Sequence, residues 1–305
     1  MRLGRRQPNL RWRGNPDGSI GRDGDVDMWQ SWLAVVGAVP MALHGARRQP
    51  RRDGWTLISP LLALAGVLCW VVSIFAPVTL GHWPATLAST MLTSAAANLT
   101  LFVILCLVVR EAWRLTGLVG IHSLITLIFA AMWTSNPAAA TTEEIYLSPW
   151  AVTHIATALP TYALVTLAAI AAFAAFLQQS TLKQKRPSPF SRGLPSLADC
   201  DVLQLRLLQI GEAVLALGLL TGMALEYVNT GHLLILNHKI VLTASAFVVI
   251  GAMLIAHQRS GLRGRRAAQL VLLGYLLLTL GYPGVKFVTD IVLASVLASG
   301  ANGLG

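Results

Sequence analysis

Apolar residues along this chain come in long continuous runs, with the charged residues gathered between them. A run of about 20 apolar residues crosses the roughly 30 Å hydrocarbon core of a bilayer as an α-helix. A helix also satisfies its own backbone there, where no water is present to do so. By that measure, spans are expected near 29–45, 58–77, 86–109, 115–133, 155–178, 206–227, 239–258 and 268–292. The first is the weakest, being short and interrupted by Pro40. Eight spans is the expected count and seven the alternative. The fold class is therefore all-α, a polytopic membrane helical bundle.

Composition agrees with the pattern. Of 305 residues, 55% are hydrophobic and 12% charged, and the mean hydropathy is +0.63. Soluble domains carry about 25% charged residues. The net charge of +10 does not point to nucleic acid, because the cations stand in short clusters between apolar runs. Membrane lipid is the expected surrounding, and no nucleic-acid partner is expected.

Those clusters orient the chain, since lysine and arginine concentrate in cytoplasmic loops. Arg47, Arg48, Arg51 and Arg52 follow the first span, and Arg110 and Arg114 the third. Lys183, Lys185, Arg186 and Arg192 follow the fifth, and Arg259, Arg263, Arg265 and Arg266 the seventh. The intervening loops, among them NPAAATTEEIYLSP and NTGHLLILN, contain no lysine or arginine. Every second loop is thus cytoplasmic, and the starts of spans five and seven face outside.

One segment conflicts with this phase. With eight spans the N-terminus lies outside, yet Arg2, Arg5, Arg6, Arg11, Arg13 and Arg22 are only partly offset by Asp17, Asp23, Asp25 and Asp27. Residues 1–28 are expected to be a disordered basic tail. Met28, directly before the apolar run, is the expected translation start. The apolar stretch after it lacks the small-residue cleavage site of a signal peptide. Residues 29–294 then form one transmembrane domain and 295–305 a flexible tail. Cys69, Cys106 and Cys200 form no CxxC or CxxCH pattern, so they are expected to be small buried hydrophobes.

The candidate chemistry is a pair of histidines. His154 and His238 stand at the starts of spans five and seven, so the loop argument alone puts both at the outer face. Either one taken alone reads as an ordinary interfacial histidine. Two neutral imidazoles at matching helix starts can ligate a haem iron.

Other polar groups share that depth. Lys239 follows His238, Lys286 and Asp290 stand four apart in the last span, and Glu226 ends span six. Lys239 and Lys286 are candidates for the two haem propionates. The alternative is that Lys286 pairs with Asp290 or Glu226 and fastens helices together. His122 lies within span four with no visible partner in the sequence, so a helix–helix hydrogen bond is its expected role. His44, His82, His232 and His257 are weak candidates in loops or at span ends.

From about residue 154 the chain resembles a known family. The segments HIATALPTYALVTLAAIAAFAAFLQQSTLKQKR, LPSLADCDVLQLRLLQIGEAVLALGLLTG, NHKIVL, GLRGRRAAQLVLLGY and LGYPGVKFV look like the cytochrome c assembly transmembrane domain. That domain is shared by CcsA-, CcmC- and CcmF-type haem-handling proteins and by HemX- and YpjD-like proteins. The resemblance is above all to the YpjD-like inner-membrane branch. It implies that two outward histidines hold the haem iron, and by motif position these are His154 and His238. It also implies a bacterial inner-membrane location, and other cytochrome c maturation proteins or apocytochrome as partners.

The chain departs from the haem-handling members in one place. Their tryptophan-rich signature falls between the two histidines, where this sequence reads LEYVNTGHLLILN without tryptophan. The expected function is therefore haem b binding and handling in cytochrome c assembly, without enzymatic chemistry. The alternative is a non-haem membrane regulator or transport accessory, the regulator acting through the cytoplasmic loop 179–205.

Overall fold

The computed structural model describes residues 22–44, 54–75, 82–84, 86–134, 144–185, 189–232 and 237–288. The described residues form α1 (Arg22–His44), α2 (Gly54–Phe75), β1 (His82–Pro84), α3 (Leu87–Val108), α4 (Thr116–Thr134), β2 (Glu144–Tyr146), α5 (Pro149–Gln184), α6 (Pro189–Gly193), α7 (Leu197–Thr230), α8 (His238–Ser260) and α9 (Arg265–Thr279). A π-helical turn, Leu280–Gly284, joins α9 to α10 (Val285–Phe287). The all-α polytopic bundle is as expected. Seven of these helical stretches are long and apolar enough to cross a membrane.

α1 is the exception, because its first turns carry Arg22, Asp23, Asp25 and Asp27. It begins ahead of Met28, and residues 1–21 of the expected tail lie outside the described residues. α1 is nevertheless packed as an eighth member, with Ala34, Ala38 and Met41 fully buried. Glycines make this possible. Gly66 of α2 and Gly120 of α4 let those helices come against the α1 backbone at Ala34 and at Met41 and Ala42.

The bundle has two sets of helices, α1–α4 and α5, α7, α8 and α9, joined mainly where α3 packs on α5. In the second set α7 and α9 each touch both α5 and α8. α5 and α8 therefore occupy opposite corners, and these are the two helices that carry His154 and His238. α5 is the central helix. Its alanines 168, 169, 171, 172, 174 and 175 are all at least 95% buried. Small side chains of this kind allow neighbouring helices to approach closely in a membrane.

Helix starts are set by caps. Ser148 accepts a hydrogen bond from the Ala151 amide, and Pro149 occupies the first helical position of α5. Ser196 caps α7 through the Asp199 amide, and Asn237 caps α8 through the Ile240 amide. These caps extend α5 and α7 past their apolar runs, to 36 and 34 residues. At 1.5 Å per residue both outrun the roughly 30 Å hydrocarbon core.

The segment expected as a loop at 179–205 is consequently mostly helix. It consists of the end of α5, the short α6 and the start of α7. Gln178 holds it by donating from Nε2 to the carbonyls of Ser191 (3.0 Å) and Pro195 (3.1 Å).

Two further features depart from the apolar pattern. β1 and β2 pair antiparallel, with Trp83 opposite Ile145, and tie together the outer connections that lead into α3 and α5. The last span is not one α-helix. Pro283 lacks the amide that would continue the ladder, and the chain widens into the π turn around it.

Candidate functional site

His154 lies two turns into α5, half-buried against α7. Its Nδ1 is 3.1 Å from the Gly218 carbonyl oxygen and 3.4 Å from Thr221 Oγ1. A carbonyl oxygen only accepts, so Nδ1 carries the proton and donates, and Nε2 keeps its lone pair. Among the described residues Nε2 has no hydrogen-bond partner. The ring is seated on Gly222, where a Cβ would stand 3.0 Å from Cε1 and 3.3 Å from Nδ1. α7 thus supplies a carbonyl to fix the tautomer and a glycine to make room.

His238 opens α8 directly after the Asn237 cap and is exposed, as is Lys239. Its level follows from packing. The Glu212 carboxylate of α7 faces Gly251 of α8. Counting back from Gly251 to His238 on one antiparallel helix and forward from Glu212 on the other sets His238 beside Leu225. That is about one helical turn, roughly 5 Å, beyond Thr221 and Gly222, which hold His154. The two imidazoles therefore belong to diagonal helices at nearly the same depth, at the same end of the bundle. Among the described residues no group of three metal-ligating side chains exists, and a bis-imidazole haem site needs only two.

The other sequence candidates divide. The α10 backbone carries Lys286 further toward the outer end than Gly281, which packs beside Leu242 and Thr243 of α8. The side chain of Lys286 and the whole of Asp290 lie outside the described residues, and the proposed pair between them with it. Glu226 is half-buried, and its carbonyl accepts from Thr230 Oγ1 at 2.8 Å. His122 has the expected helix–helix bond, 3.0 Å from Nε2 to the Tyr275 hydroxyl. His44 is buried with its ring edge-on to Trp113. His257 Nδ1 donates to the Leu262 carbonyl at 2.9 Å, closing the end of α8. His232 is exposed.

Sequence reasoning missed Gly218, Thr221 and Gly222, whose roles depend on cross-helix register. It also missed Glu212, whose position inside the apolar run LQIGEAVLALG was the available signal.

The fold and this outer site describe a multi-pass membrane bundle that presents histidines at one face. Residues 56–293 match the family model described as cytochrome C assembly protein, and the chain belongs to that family. A 28.8 kDa protein encoded in the nifR3-like 5' region of Azospirillum brasilense is 45% identical over 76% of this chain and 84% of its own length. Inner membrane protein YpjD of Escherichia coli K12 is 26% identical over 85% of this chain and 97% of its own. Protein HemX of Brevibacillus brevis is 27% identical over 47% of this chain and 52% of its own. No solved structure matches significantly.

Proposed function

We propose that this protein resides in the bacterial inner membrane and holds haem b at the outer end of α5 and α8, with His154 and His238 as the axial ligands, in the service of cytochrome c assembly. The observation that carries this reading is the state of His154. Its Nδ1 is committed to the Gly218 carbonyl and its Nε2 lone pair is unclaimed. A carbonyl hydrogen-bonded to the far ring nitrogen is the usual arrangement of a metal-ligating histidine. The residues present therefore fit a bis-imidazole group. Lys239 and Lys286 would supply the cations for its propionates.

Bound there, haem contributes an iron centre for transfer or electron exchange, while the chain contributes orientation. α7 fixes the His154 tautomer, and the α8 cap presents His238 to the outer side. No catalytic base is required for holding. The absence of tryptophan between the two histidines favours storage or relay toward another maturation protein over direct attachment to apocytochrome.

Gly222→Ala tests the cradle. The added methyl meets the His154 ring at 3.0 Å and pushes it off the Gly218 carbonyl. Haem affinity in a detergent titration is expected to fall by about tenfold, the scale of losing the hydrogen bond that orients a ligating histidine. An unchanged affinity would remove His154 from the site.

A further inference from the structure

A polar seam runs through the membrane-embedded core, separate from the outer histidines. On α3, Thr86, Thr90, Ser94 and Asn98 recur every fourth residue and so share one face of the helix. Thr86 is the outer N-cap, while Thr90, Ser94 and Asn98 are no more than 4% exposed. The hydroxyls of Thr93 and Ser94 donate back to the carbonyls of Ser89 (2.8 Å) and Thr90 (2.6 Å), which leaves their lone pairs to accept.

The π turn supplies the opposite wall. Tyr282 has one edge toward lipid, but its hydroxyl reaches Thr90 and Thr93. The Tyr162 ring lies 6.1 Å from Tyr282, and its hydroxyl is 3.4 Å from Thr279 Oγ1 and within hydrogen-bonding reach of Tyr275. Tyr275 in turn is 3.0 Å from His122 Nε2. The polar groups thus follow one another from the outer N-cap of α3 to the middle of α4.

Helix fastening accounts for the paired groups but not for the inner end. Asn98 is 1% exposed, and neither its Oδ1 nor its Nδ2 has a hydrogen-bond partner. His122 Nδ1 is likewise buried without one. From the contact of Tyr282 with Thr90 and Thr93, Asn98 lies about two turns inward on α3 and Tyr275 two turns inward on α9. Asn98, Tyr275 and His122 therefore share one depth. Buried donors and acceptors of this kind call for water or a small polar ligand.

We propose that this seam is a hydrated half-channel, open at the outer face and ending at Asn98 and His122, that admits water and hydronium to the middle of the membrane. Toward the cytoplasm it is closed, because Leu115, Leu118 and Val119, in the turns before His122, are buried and apolar. His122 ends the path, with Nε2 engaged by the Tyr275 hydroxyl and Nδ1 left for water at Asn98. The proposal does not depend on haem.

Substituted cysteines test it in the full-length protein, with Cys69, Cys106 and Cys200 changed to alanine. In spheroplasts, external Ag⁺, an ion small enough for a water-filled path, is expected to block the thiols of Ser94→Cys and Asn98→Cys at least tenfold faster than that of Leu99→Cys, a fully buried apolar position on the same helix. Blocking is read by maleimide labelling after denaturation. Equal rates at all three positions would overturn the proposal, as would reaction only with Ag⁺ on the cytoplasmic side. Ser94→Cys decides the matter if Asn98→Cys does not fold.

Discussion

Purified His154→Ala is expected to carry no stoichiometric haem and to lose at least a hundredfold in haem affinity, while keeping its helical content. His154 is the proposed ligand whose geometry is already set, with Nδ1 on Gly218 and the ring on Gly222. Deleting it removes an axial bond and also an imidazole that needs no reorganisation to bind. His238 is exposed and free to reorient, so its loss should leave a weaker five-coordinate complex. The helices survive both changes, because neither side chain is among the buried core residues. Circular dichroism and a haem titration on the same preparation separate lost binding from lost fold. Equal affinity in His154→Ala and wild type would contradict the assignment.

The second large effect is structural. Gly120→Ala is expected to destabilise the assembled bundle by about 3 kcal/mol, the upper end of the cost of overpacking. A Cβ at that position would run into backbone atoms of Met41 and Ala42, which cannot turn aside as a side chain can. The helices α1 and α4 touch there almost backbone to backbone, as small residues permit in membranes. Gly54→Ala is the control, since its Cβ would meet only Ile58 Cδ1 at an ordinary 3.7 Å. Thermal unfolding in detergent should separate the two variants clearly. If both melt together with wild type, α1 is not packed against α4 as described.

The spans could be read from the sequence because lipid imposes a length on apolar helices. Span ends could not be read from apolarity alone. α5 and α7 run on past their apolar stretches because Ser148–Pro149 and Ser196 cap them further out, and those caps are written in the sequence. Pro283 likewise signalled a break in the last span. The β1–β2 ribbon left no signal, since three-residue pairings between distant connections have no local period.

At the site, loop counting was enough to bring His154 and His238 to one face. The cradle of Gly218, Thr221 and Gly222 depends on how α5 settles on α7, which no single segment specifies. The i+4 stripe of Thr90, Ser94 and Asn98 was visible in the sequence. Its partners Tyr162, Tyr275 and Tyr282 were not, because they come from α5, α9 and the π turn that follows α9.

The most direct measurement is the electron paramagnetic resonance spectrum, alongside the absorption spectrum, of full-length protein purified from haem-replete cells, with His238→Ala beside it. Bis-imidazole ligation predicts a low-spin ferric signal in the wild type that turns high-spin when His238 is removed. A wild type that is colourless, and that takes up no added haem, would contradict the proposed function.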